Sequence, residues 1–189
     1  MDIVTPEHKT VLRQWYEELQ KQRGMRASLR RSTSISEACL APGFHALRLQ
    51  THTLWKISGE EWRLTALALV AALGAHVKTN DEKQRFAQQL GNKEYGRRVM
   101  SELRFKRLCA AKTPDDLLRQ LRRTIHLLKG NVNLPSLADD IFRWCREAND
   151  AQQHAGRALN PMEFVRVRWA MDFYQAGEPD DVNQPATAE

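Results

Sequence analysis

Apolar positions recur at helical spacing along most of the chain. Thr5-Pro6-Glu7 reads as a helix start: a capping hydroxyl, proline at the first helical position, then an acid. Val11, Leu12, Trp15, Tyr16 and Leu19 continue the helix on one side, and Gly24 interrupts it. A short basic helix is predicted over 25–31. Residues 32–43 are Ser-rich and contain Pro42-Gly43, which predicts loop and turns. Phe44 and Leu47 belong to a helix ending near residue 54. Ser58-Gly59-Glu60-Glu61 opens a central helix capped by Ser58. From Leu64 to Ala75 that helix is apolar all round, the pattern of a helix enclosed by others. This run is shorter than the ~20 residues a membrane span requires.

The second half repeats the grammar. Asn80-Asp81 starts a polar helix through Leu90, and Gly91 and Gly96 bracket a break. The break predicts two small bundles, 1–95 and 96–176. A helix is expected from about Arg97 to Ala111. Thr113-Pro114-Asp115-Asp116 opens the next, which ends at Lys129-Gly130 with a basic last turn and a C-cap glycine. Leu134-Pro135-Ser136 opens a third, with Leu137, Ile141 and Trp144 on one face. Asn160-Pro161 opens a fourth, with Phe164, Val167, Met171 and Tyr174 on one face. The short loop 130–133 predicts antiparallel neighbours on either side of it. Residues 177–189 lack apolar periodicity and are predicted to be a disordered acidic tail.

Composition agrees with an all-α chain. Of 189 residues, 43 are Ala or Leu, against 24 Val, Ile or Thr. A chain of this length builds a core without disulfides or a metal. The net charge is +6, but its placement matters more than its size. Residues 21–31 carry five basic residues and no acid, and residues 97–129 carry ten basic and three acidic ones. Such clustering fits a polyanion binder or, equally, a few basic solvated faces.

The helix over 114–129 sharpens the choice. Leu117, Leu118, Leu121, Ile125 and Leu128 fall within about 100° of one another. Arg119, Arg122, Arg123 and His126 fall opposite, and no acid follows Asp116 on that side. A solvated face usually mixes signs, whereas arginine's planar fork suits phosphate. Polyanion contact is the better reading of this face, with a plain solvated face as its alternative. Arg23, Arg26 and Arg30 share one side of the short basic helix. Arg97, Ser101 and Arg104 align, while Lys106 and Arg107 lie off that line. The candidate nucleic-acid ligands are therefore Arg26, Arg30, Arg104, Arg107, Arg119, Arg122 and Arg123. The tryptophans read as core, and only Phe105 is placed to stack on a base.

Catalytic and cofactor signatures are missing. The histidines form no HExxH pair, and no GxxxxGK[ST], GxSxG or GxGxxG motif occurs. Asp139 and Asp140 are adjacent in a helix and diverge too far to share an ion easily. They are expected to favour the dipole at their helix N-terminus. No metal, cofactor or catalytic residue is predicted. Cys39, Cys109 and Cys145 are odd in number and lack CxxC spacing, which fits a reducing cytoplasm.

Three strings carry a resemblance: Gly24-Met25-Arg26-Ala27-Ser28-Leu29-Arg30-Arg31, Ser101-Glu102-Leu103-Arg104-Phe105-Lys106-Arg107-Leu108, and Leu117-Leu118-Arg119-Gln120-Leu121-Arg122-Arg123. A Leu-Pro-x-Leu-Ala helix with a tryptophan follows them. Their order and spacing over roughly residues 10–176 resemble the CasB family, the small subunit of the type I-E CRISPR surveillance complex (Cascade). The resemblance implies a non-catalytic protein of two helical bundles. It implies a second copy of itself and the other Cascade subunits as partners, with guide RNA and target DNA, including the displaced single strand. Carried over, the implied contacts are Arg26, Arg30, Arg104, Arg119, Arg122 and Arg123. A stand-alone helical DNA-binding regulator is the alternative, although a basic helix beginning Pro-Asp-Asp is poorly suited to entering a groove. A scaffold whose arginine faces bind acidic protein surfaces is a further one.

Overall fold

The computed structural model describes residues 3–54, 61–153 and 160–176. The Ser58 cap, Trp55 and the acidic tail 177–189 lie outside them. The described residues form ten α-helices, α1 (Pro6–Lys21), α2 (Arg23–Arg31), α3 (Ile35–Leu40), α4 (Pro42–Thr51), α5 (Glu61–Gly74), α6 (Phe86–Gly91), α7 (Glu102–Cys109), α8 (Pro114–Leu127), α9 (Leu134–Gln153) and α10 (Val165–Gln175). Four two-residue strands accompany them: β1 (Thr79–Asn80), β2 (Lys93–Glu94), β3 (Arg97–Arg98) and β4 (Asn131–Val132). The protein is all-α in substance.

The central helix is α5. Every residue from Ala66 to Gly74 is buried, and α5 packs chiefly on α9, with α3, α4 and α8 around it. Trp15 of α1 closes one side and donates from Nε1 to the Gly43 carbonyl at 3.0 Å. The helices α8 and α9, expected to be neighbours across their short loop, both make their main contact with α5. The loop is instead held by a short parallel pairing of β4 with β1.

Several elements differ from the sequence reading. Most of residues 32–43 is helical, because Ser34 caps α3 by accepting from the Glu37 N–H at 3.2 Å, and Pro42 takes the first position of α4. Proline there starts a helix. Only the last turns of the polar stretch 80–90 are helical. Its first polar groups serve α9: Asn80 Oδ1 accepts from the Leu134 N–H at 2.9 Å, and the Gln84 carbonyl accepts from Asn133 Nδ2 at 2.8 Å. Side chains that satisfy another helix end compete with helix formation locally.

Residues 93–98 form an antiparallel hairpin where a helix start was expected. Tyr95 (φ 51°) and Gly96 (φ 76°) both adopt the left-handed conformation such two-residue turns require. Arg98 anchors the hairpin by donating from Nη1 to the carbonyls of Gly91, Phe173 and Ala176 at 2.8–3.0 Å. The buried face of α10 is Val165, Trp169 and Phe173, whereas Met171 and Tyr174 are exposed. That register is set by aromatic contacts. Trp169 meets Phe86 edge-on, and Phe173 stacks on Phe105 at 4.1 Å between centroids. Phe105 is thus core and unavailable for stacking on a base.

Candidate nucleic-acid interface

The α8 helix is built as its pattern implied. The Thr113 hydroxyl accepts from the Asp116 N–H at 3.2 Å, and Leu117, Leu118, Leu121 and Ile125 are buried. Its opposite side forms one wall of a groove of about 1000 Å³. Arg122 and Arg123 reach it from α8, Arg30 from the end of α2, and Arg104 and Arg107 from α7. Five of the seven predicted arginines therefore converge, from three helices separated by up to ninety-odd residues of sequence.

The other two do not. Arg26 turns away and donates from Nε to the Ala75 carbonyl and from Nη2 to the Val77 carbonyl, both at 3.0 Å. It satisfies carbonyls just past the C-terminal end of α5, a structural task. Arg119 is exposed and pairs with Asp116 at 2.8 Å, one turn back on α8.

Two lysines escaped the sequence reading. Lys78 and Lys129 both line the groove. They stand far apart in the chain and are joined through Gly130, whose carbonyl accepts from the Lys78 N–H at 2.8 Å and the Thr79 N–H at 3.2 Å. Lys129 itself sits at φ 56°, an uncommon conformation for a residue with a side chain. A two-residue strand pairing leaves no periodic signal, so only the basic last turn of α8 hinted at this corner.

Seven residues of fixed positive charge thus line the groove, together with His76 and His126. Among the described residues no carboxylate lines it. Arg122 is half-buried, and its Nη2 donates to the Ser32 carbonyl, tying α8 to the end of α2. Burial pushes the His76 imidazole down to about 4, and the charges of Arg122, Arg30 and Arg26 add to the effect. It is neutral at pH 7. Like charges held together without acids repel, and an anion among them relieves the repulsion.

The remaining titratable groups show no rival centre. Among the described residues no cluster of histidine, cysteine and carboxylate groups is arranged to hold a metal. Asp139 does not cover its own helix end. It accepts the N–H groups of Ile3 and Val4 at 2.6 and 2.9 Å and pairs with Arg143 at 2.7 Å. Asp140 is buried beside it, and burial raises its carboxyl to about 7. Burial also raises the thiols of Cys109 and Cys145, to about 11 and about 12, which suppresses their reactivity. Among the described residues no helix is long and apolar enough to cross a membrane.

Comparison with known proteins identifies the family. Residues 25–174 match the family model of the CRISPR-associated protein Cse2. The chain is 29% identical over 175 residues to the CRISPR-associated protein Cse2 of Thermus thermophilus, covering 88% of this chain and 90% of that protein. No solved structure matches the chain. The match spans the helices that build the groove, and the chain belongs to the Cse2 family, that of CasB, the small subunit of the type I-E CRISPR Cascade complex.

Proposed function

We propose that the protein acts without catalysis, binding nucleic acid in the cationic groove and stabilising the strands of the R-loop within its surveillance complex. The observation that carries this reading is the convergence of Arg30, Arg104, Arg107, Arg122 and Arg123 on one carboxylate-free groove. Guanidinium groups bind phosphate bidentately, and a contact to phosphate carries no base identity, so binding through this groove is independent of sequence. Strand exchange in a guided complex is nearly balanced, because the heteroduplex replaces a duplex of similar stability. A groove that holds the displaced single strand opposes its reannealing and shifts the balance toward the open state. The partners in this reading are guide RNA, target DNA with its displaced strand, the other Cascade subunits and a second copy of the chain.

The test is the salt dependence of single-strand binding. Each phosphate neutralised contributes a slope of about −0.7 in log affinity against log salt. Arg122→Ala combined with Arg123→Ala should weaken binding equally across sequences and flatten the slope by about one to two such units. An unchanged slope removes α8 from the interface. A loss confined to particular sequences indicates base readout instead.

A further inference from the structure

The groove and the C-terminal segment of the chain carry opposite charges. Residues 177–189 hold four acids, Glu178, Asp180, Asp181 and Glu189, and no basic residue. The groove is lined by seven fixed positive charges and, among the described residues, by no carboxylate. Arg104, Arg107 and Arg123 are exposed in it, and among the described residues no carboxylate pairs with any of the three. Cations gathered in this way repel one another until an anion lies among them.

The fold also brings the acidic segment to the groove. The end of α10 is fastened to α7: Phe173 stacks on Phe105 at 4.1 Å between centroids, and Tyr174 meets the same ring edge-on at 6.3 Å. Arg104 precedes Phe105 in the chain and Arg107 follows it on the same helix. The Ala176 carbonyl accepts from Arg98 Nη1 at 2.8 Å, which fixes the point from which the segment departs. Asp180 and Asp181 stand four and five residues beyond that point, a reach of about 13–18 Å in extended chain. Joined by so short a linker, the acids meet the groove at an effective concentration on the order of mM.

We propose that the acidic segment 177–189 is the groove's intramolecular occupant, with Glu178, Asp180 and Asp181 lying among Arg104, Arg107 and Arg123 until a nucleic-acid strand displaces them. The displacement rests on the reading of the groove as a nucleic-acid surface; the docking of the segment does not. A strand offers a phosphate charge at every nucleotide, whereas the segment offers four acids in thirteen residues. A strand held along the groove therefore displaces the segment, and short or sparsely charged polyanions do not. The contact sets a threshold for loading the groove.

The test uses the full-length chain carrying Glu178→Gln, Asp180→Asn and Asp181→Asn together. A groove roughly 70–90% occupied by its own segment lowers the apparent affinity for a competitor by about three- to tenfold. The triple variant should bind a fluorescent oligothymidylate more tightly by that factor, and the gain should shrink as salt rises. Net charge is controlled by a second variant, Glu17→Gln, Glu94→Gln and Glu163→Gln. These acids are exposed and none lines the groove, so their removal should gain less than about twofold. Docking itself is read from the backbone amide resonances of residues 178–182 by NMR. Arg104→Ala, Arg107→Ala and Arg123→Ala together, all at exposed positions, should move these resonances, and saturating oligothymidylate added to the wild type should move them in the same direction. Equal gains in the two acid variants, or resonances that ignore the groove substitutions while the oligonucleotide binds, overturn the docking and leave the groove reading standing. Resonances that respond to the groove substitutions in a chain that binds no oligonucleotide uphold the docking and sink the nucleic-acid reading. A response that grows with protein concentration puts a second copy's segment in the groove and overturns the intramolecular contact.

Discussion

At the scale of residues, arginines that look alike in sequence do different work. Arg26 and Arg30 are one helical turn apart on α2, yet Arg26 faces inward to two backbone carbonyls and Arg30 faces the groove. Arg26→Ala should cost about 1–3 kcal/mol, because two buried carbonyls lose a charged donor. Arg123 is exposed, and Arg123→Ala should change stability by no more than about 0.5 kcal/mol while weakening oligonucleotide binding. Urea unfolding and anisotropy titration of the two variants check both statements. A helical wheel identifies which side of a helix a residue occupies. It does not show whether that side meets solvent or another backbone, which is why Arg26 reads as a nucleic-acid ligand and proves to be an anchor. The same limit explains α10, where Met171 and Tyr174 stand at helical spacing but Trp169 and Phe173 are the buried pair.

At the scale of elements, the chain's punctuation was legible where it acts on its own helix. The Thr5-Pro6 and Thr113-Pro114 starts occur as the sequence implies, whereas α8 ends at Leu127 with Leu128 as its cap, before the Lys129-Gly130 stop that was expected. It was illegible where a turn residue serves a different element. Gly91 looked like a break between bundles. It ends α6 against α10, and a Cβ there would lie 2.0 Å from the Phe173 carbonyl oxygen. Gly91→Ala should therefore force α6 and α10 apart and lower stability by about 1–3 kcal/mol or more, read as a reduced urea midpoint. An unchanged midpoint would show that the two helices are not in such close contact. Asn80, Gln84 and Gln89 likewise read as a polar helix, although much of their work is to cap α9.

At the scale of the whole molecule, the two bundles expected on either side of residues 91–96 share their packing. The α6 helix lies mainly on α10 and α5 mainly on α9, so one buried core runs across the break. Thermal unfolding should accordingly be a single transition. Its pH dependence should carry the signature of Asp140, whose carboxyl is raised to about 7 in the fold. The folded state binds that proton more tightly than the unfolded chain, so Asp140 contributes less stability as pH rises from about 4 to about 7. The midpoint gain of Asp140→Asn over wild type should thus be small at the acid end, grow across that window and level off above it. A gain independent of pH would place the ionised carboxylate in contact with water. What the sequence determined by itself was the all-helical class, the enclosed central helix and the sign and chemistry of the basic surface, because helix propensity, periodicity and charge are local properties. What only tertiary structure decided was which cations meet. The groove is assembled from α2, α7, α8 and the Lys78 and Lys129 turns by packing around α5, and contacts between segments that far apart leave no local pattern to read.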